Sequence, residues 1–129
     1  MTPRRWIAVG SLWMALAVVL GAFGAHALHD RLVESDHLET WRSAVLYQAV
    51  HGIALILYGL FQKSWPIGPF AAWCFLIGSL LFSGSIYLLS LGIASSTFGL
   101  LTPVGGLGMT LGWLALSWRA FQKGTGPSM

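Results

Sequence analysis

The charged residues of this 129-residue chain leave four long intervals almost empty. Residues 6–28, 43–61, 70–91 and 98–121 form apolar runs, and the first Asp, Glu, Lys or Arg inside any of them is Arg119, at the end of the fourth. A bilayer core about 30 Å thick is crossed by a helix of about 20 apolar residues. Each run is therefore expected to be a transmembrane helix, and the expected fold class is all-α, a single-domain integral membrane four-helix bundle over residues 1–129. Composition excludes the soluble alternative. Charged residues make up 9% of the chain, against about 25% in an ordinary soluble domain. A chain this short and 56% hydrophobic could not cover its own surface in water.

The first run competes with a secretory signal, because Arg4 and Arg5 precede it and Ala25-His26-Ala27 resembles a cleavage site. Its apolar stretch exceeds the roughly 7–15 residues of such a signal, so a retained membrane anchor is expected. Basic residues flanking membrane helices favour the inner side. With the N-terminus inside, Arg4, Arg5, Lys63, Arg119 and Lys123 are all inside, and only Arg31 and Arg42 are outside. That gives an N-in/C-in topology in the cell inner (plasma) membrane. Trp6, Trp65 and Trp118 then become inner interfacial anchors and Trp41 an outer one. The polar stretch 29–42 is expected to be an amphipathic outer segment, with Leu32, Val33, Leu38 and Trp41 along the membrane surface. Asp36 followed by Glu39 reads as a capping box that starts the second helix near His37. The net charge of +3 is explained by this topology, and no nucleic-acid partner is expected. Cys74 lies inside an apolar run and reads as a small buried residue.

Between helices in lipid, close packing by small residues replaces the hydrophobic drive. Ala17, Gly21 and Ala25 recur at i, i+4 in the first span, with Gly24 beside them. Ser79 and Ser83 share that spacing in the third, and Gly108 and Gly112 form a GxxxG pair in the fourth, after Gly105 and Gly106. These are the expected helix-packing positions. Pro103 is tolerated in the first turn of a helix. It would kink the fourth span if that helix began at Phe98.

The polar residues of the spans fall toward one side of the membrane. They are His26 in the first span, Tyr47, Gln48 and His51 in the second, Ser83, Ser85 and Tyr87 in the third, and Thr102 in the fourth. Together with Gly24 they are expected to converge in the outer half as a ligand-binding or structural cluster. His51 is the sharpest member, two turns into apolar sequence with Tyr47 one turn above it. An ionisable residue inside a membrane suggests function, and a neutral imidazole bridging helices is the structural alternative. His26 and His51 on facing helices could ligate a metal or haem. Two histidines with no third ligand and no spacing motif do not make such a site, so no cofactor is expected. No carboxylate lies in a span, which argues against a proton-coupled exporter. No motif supplies a nucleophile with its base, so an enzyme is not expected.

Four ordered segments resemble one family. They are Gly21-Ala22-Phe23-Gly24-Ala25-His26-Ala27-Leu28; Trp41 with Tyr47-Gln48-x-x-His51; Leu81-Phe82-Ser83-Gly84-Ser85-Ile86-Tyr87; and Thr102-Pro103-x-Gly105-Gly106 followed by Trp113. The chain is identified by them as resembling domain-of-unknown-function family 423, the YgdD-like and YwdK-like small inner-membrane proteins. The resemblance implies a four-helix membrane protein and no particular activity. The expected role is structural or accessory to a membrane complex, or lipid-interacting. Membrane lipid, a larger complex or a second copy are the expected partners. The alternative is an oligomeric transporter or channel for a small solute.

Overall fold

The computed structural model describes residues 1–122, so Lys123 of the basic inner set lies outside the described residues. The chain forms helices α1 (Pro3–Ala25), α2 (His29–Glu34), α3 (Leu38–Phe61), α4 (Phe70–Ser90) and α5 (Leu101–Phe121), with a 3-10 turn Ser96–Leu100 leading into α5. Four of these stretches are long and apolar enough to cross a membrane. The long helices run antiparallel to their neighbours in sequence, so both ends of the described chain emerge on one face, here the terminal face. The segment containing α2 covers the opposite one.

Local chemistry sets the helix ends. Thr2 caps α1 by accepting the Arg5 N–H on its hydroxyl at 3.3 Å, with Pro3 in the first position, where its missing N–H costs nothing. The helix therefore starts three residues before the apolar run does. Asp36 does not open α3 as a capping box. It adopts a left-handed conformation, φ +58°, and closes α2. Its N–H donates to Val33 O at 3.1 Å and the His37 N–H donates to Leu32 O at 2.9 Å, the two bonds of a Schellman motif. Asp36 thus marks a helix boundary but serves the helix before it. Pro103 is the third residue of α5, because the preceding residues wind as a separate 3-10 turn. It therefore sits in the first turn, where no intrahelical donor is required.

The helices form two intimate pairs, α1 with α3 and α4 with α5, joined by α3 against α4. Both pairs rest on small residues seven apart. Gly10, Ala17 and Gly24 are buried along α1, Gly52 and Gly59 along α3, Ala71, Gly78 and Ser85 along α4, and Gly105 and Gly112 along α5. A Cβ on Gly10 would fall 2.7 Å from the Gly52 carbonyl, and one on Gly78 would fall 2.9 Å from that of Gly105. A seven-residue repeat is the seam of a left-handed crossing, and small residues on it let the backbones approach. The expected i, i+4 stripes are thus corrected. Ala17 and Gly112 are on the seams, Gly21 is half-buried beside Val45, and Ala25 faces outward. Gly106 and Gly108 have ordinary clearance.

Two apolar clusters fill the bundle. Trp6, Leu55, Tyr58, Ala72 and Phe75 pack toward the terminal face, and Leu32, Trp41, Ala44, Ile86 and Tyr87 pack toward α2. Trp6 and Trp41 are core residues, 0% and 1% exposed, rather than interfacial anchors. Trp6 stands edge-on to Tyr58 and Trp73. Trp118 is exposed as an anchor should be. Leu32 is fully buried while Val33 is exposed, and Arg31 donates to the Leu91 carbonyl at 2.6 Å. So α2 is a lid tied to the end of α4, with only one side at the surface.

The glycine seams give a discriminating prediction. Gly105→Ala places a methyl group against the Phe82 and Gly78 backbones and should lower stability by about 1–3 kcal/mol. Gly106→Ala and Gly108→Ala should be neutral or stabilising by up to about 1 kcal/mol through helix propensity. Equilibrium unfolding in detergent would rank the three. Asp36→Gly should stabilise by roughly 0.5–1 kcal/mol, since glycine carries no penalty at positive φ.

Candidate functional site

A helix in lipid has no water to satisfy its polar side chains, so each must find a partner in the protein. Gln48, 0% exposed, lies near the middle of α3. Its Nε2 donates to the Trp13 carbonyl of α1 at 3.0 Å, and its Oε1 accepts the Tyr87 hydroxyl of α4 at 2.7 Å. One amide therefore joins three helices. The Trp13 indole donates in turn to the Ser79 hydroxyl at 2.9 Å, and Ser79 donates to its own helix at Leu76 O. Ser83 donates to the Ala44 carbonyl at 2.7 Å. Trp41 donates to the Leu20 carbonyl at 2.9 Å, its indole lying against Gly24, where a Cβ would strike it.

His51 occupies a second group on the same helix. It is 2% exposed. Its Nδ1 is 2.7 Å from the Tyr47 carbonyl, and its Nε2 is 3.0 Å from the Trp113 indole nitrogen. An indole N–H is only a donor and a carbonyl only an acceptor. These partners fix the tautomer: Nδ1 carries the proton and Nε2 accepts. The Tyr47 ring, 44% exposed, stacks over the imidazole and against Phe82, and Phe75 and Trp113 close the other sides. A third pair stands apart. The Thr102 hydroxyl of α5 donates to Ser85 at 2.6 Å, while Ser85 donates to Phe82 O at 3.0 Å.

The residues singled out by sequence therefore form three hydrogen-bonded groups rather than one outer cluster. Gln48 and Tyr87 share the first, with Trp13 and Ser79, while Ser83 bonds separately to the Ala44 carbonyl and Gly24 makes room for Trp41. His51 and the Tyr47 ring form the second, and Ser85 with Thr102 the third. His26 joins none of them. It sits at the C-terminal end of α1 with its side chain exposed, because the chain turns there toward α2. His26 and His51 do not face each other, and both His51 nitrogens are occupied by protein. Among the described residues, no three His, Cys, Asp or Glu side chains stand together as a metal-ligand set. In depth, Gln48 and His51 lie near the middle of α3, whereas Ser83, Ser85 and Tyr87 lie in the half of α4 toward the α2 face and Thr102 at the start of α5.

Sequence reasoning missed Trp13 and Trp113 as site residues. A signal was present. Both lie in mid-span, far from the interfaces where tryptophan is usual, and a buried indole N–H needs an acceptor. Tyr58 was also missed. Its hydroxyl donates to the Ile67 carbonyl at 3.1 Å and ties α3 to the following loop. Among the described residues, the buried side-chain polar atoms without a partner are Trp6 Nε1, Gln62 Oε1 and Ser90 Oγ, all outside these groups.

Residues 20–106 match the family described as a protein of unknown function, DUF423. The chain belongs to this family. The match spans the α1 to α5 segments that carry Gln48, His51, Ser83, Tyr87 and Thr102. A UPF0382 membrane protein of Staphylococcus aureus is 38% identical over 121 residues, covering 92% of this chain and 97% of the relative. The UPF0382 membrane protein YwdK of Bacillus subtilis is 36% identical over 116 residues, covering 88% and 93%. No solved structure matches the chain.

The Gln48–Tyr87 bond can be isolated by a double-mutant cycle. Tyr87→Phe and Gln48→Leu should each destabilise the bundle, because each leaves the other partner buried and unpaired. Their coupling should be about 0.6–1.7 kcal/mol, the range of interhelical hydrogen bonds in membrane proteins. Unfolding of the four cycle members in one detergent measures it.

Proposed function

We propose that this family member is a non-catalytic, multi-pass protein of the cell inner (plasma) membrane, acting through its lipid- and protein-facing exterior as a structural or accessory element. The observation that carries this reading is the closure of the His51 hydrogen bonds within the bundle. A proton relay or substrate ligand must exchange partners, yet Nδ1 is held by Tyr47 O and Nε2 by Trp113. Protonating Nε2 would set one donor against another. The Ser85 hydroxyl has hydroxyl and carbonyl partners and no base beside it, which favours packing over nucleophilic chemistry.

The charge distribution supports the inner-membrane orientation. Arg4, Arg5, Lys63 and Arg119 are on the terminal face, against Arg31 and Arg42 in the segment over the opposite face. That is the asymmetry expected when the termini are inside. The outward side of α1 exposes Ala8, Ser11, Ala15 and Ala22, small residues of the kind that seat a second membrane helix. This supports a larger complex or a homo-oligomer as partner.

Hydrogen exchange at the indole N–H groups, followed by NMR in lipid nanodiscs, tests the reading. Trp113 N–H, bonded to His51, should exchange far more slowly than the exposed Trp118 N–H. Equal, rapid exchange at both would mean that water reaches His51, and would move the assignment to a transporter or channel.

A further inference from the structure

The lipid-facing part of that reading can be taken to a particular site. Helices α3 and α5 stand on either side of α4 and do not pack along each other, leaving a cleft between them. It has a volume of about 120 Å³ and is walled by Leu57, Tyr58 and Phe61 of α3 and by Trp113 and Leu116 of α5, with Phe75 of α4 at its floor. Its lining is almost wholly apolar. At its terminal-face end it meets a second hollow of about 170 Å³ through the shared residues Ile67, Ala71 and Leu116, and Arg119 lines that second hollow. The groove therefore runs from mid-membrane to a cation at the interface.

The Arg119 guanidinium lies against Gly68 in the α3–α4 loop, and among the described residues no Asp or Glu accompanies it. The four Asp and Glu residues are all in the 29–42 segment on the opposite face. The first turn of α4 also ends on this mouth, with no side-chain cap on its N–H groups, which adds to the positive field there. Phe70 and Ala71 of that turn line the second hollow. A hollow of about 120 Å³ is too small for a turn of a helix about 10–12 Å across with side chains, whereas a slender hydrocarbon chain can enter it.

We propose that this groove binds one phospholipid with an anionic headgroup, an acyl chain between α3 and α5 and the phosphate at Arg119. Aromatic walls hold the chain by dispersion and apolar contact. The guanidinium presents paired donors to the phosphate oxygens. The site explains why a cation lies at the end of an otherwise uncharged span, beside a cleft that would leave the aromatic walls without neighbours.

Native mass spectrometry of the full chain in neutral detergent tests this, with phosphatidylglycerol and phosphatidylcholine of matched acyl chains added at equal amounts. One retained phosphatidylglycerol is expected, favoured over phosphatidylcholine by about five-fold, the effect of one basic residue near an anionic lipid. Arg119→Gln should abolish the preference while Arg4→Gln/Arg5→Gln keeps it. Ala54→Leu, which extends into the cleft lining, should lower retention of both lipids. If Ala54→Leu fails to fold, Arg119→Gln alone decides, since that side chain is exposed. Excess inorganic phosphate should leave the adduct in place, and displacement would overturn the lipid in favour of a soluble anion. Equal retention of the two lipids by the native chain, or a preference that survives Arg119→Gln, would overturn the site. Those results leave slow Trp113 exchange untouched. Rapid Trp113 exchange with the lipid preference intact would instead overturn the accessory reading and leave the site.

Discussion

Everything in this bundle depends on how closely its backbones approach. Lipid tails supply no hydrophobic drive for helices to associate, so association rests on dispersion and on hydrogen bonds that reach across. Both decay within an ångström or two. Gln48 reaches the Trp13 carbonyl only because α1 and α3 nearly touch, and they nearly touch because Gly10, Gly52 and Gly59 have no Cβ to hold them apart. The same holds at Gly24, where the missing Cβ admits the Trp41 indole to the Leu20 carbonyl. The glycine seams come first and the polar contacts follow from them.

The polar contacts then decide what the centre of the protein can do chemically. An isolated amide or imidazole in hydrocarbon would be costly. Here the cost is met by donors and acceptors on neighbouring helices, and meeting it uses up the groups. Gln48 spans α1 and α4, and His51 is held between its own helix and α5. Such contacts also fix register, because a shift of one helix along another would strand several buried groups at once. The same residues that look functional in a sequence, by virtue of polarity in an apolar run, are therefore those that specify one packing arrangement. What is left to interact with the surroundings lies on the outside of the bundle and in the cleft between α3 and α5.

The helices were legible in the sequence because lipid imposes a length and an apolar composition that few other contexts demand. The pairing was less so. Gly108 and Gly112 form a familiar spacing, yet the α4–α5 seam uses Gly105 and Gly112, because a left-handed crossing returns to the same face every seven residues. The site was partly legible. Tyr87 bonds Gln48 directly, since polar residues on neighbouring spans must find one another, whereas Ser83 is satisfied by the Ala44 carbonyl. His26 joins neither, because a residue at the end of a span can reach the interface and needs no partner inside. Trp13 and Trp113 were overlooked because an indole counts as apolar in a hydropathy window while its N–H still needs an acceptor. Asp36 closes α2 rather than opening α3, because a capping signal and a left-handed C-terminal residue occupy the same position when two helices follow closely.

The architecture is asymmetric about its own middle, and the asymmetry has a physical origin. Toward α2 the end of the bundle is covered. Leu32 is sealed into the core, Arg31 ties the lid to Leu91, and the Trp41 and Tyr87 rings pack at a tilt of 57° beneath it. Toward the terminal face, the connection between α3 and α4 is a loop fixed by the Tyr58–Ile67 bond, and α5 diverges from α3 without a comparable cover. A short loop can close two adjacent helices but cannot also fill the space between helices separated by a third. The cleft is thus what remains when a four-helix chain is packed as two tight pairs, and in a bilayer such a space is filled by hydrocarbon. Only the charge at its mouth, Arg119, turns an unavoidable packing gap into a place where one lipid can be distinguished from another.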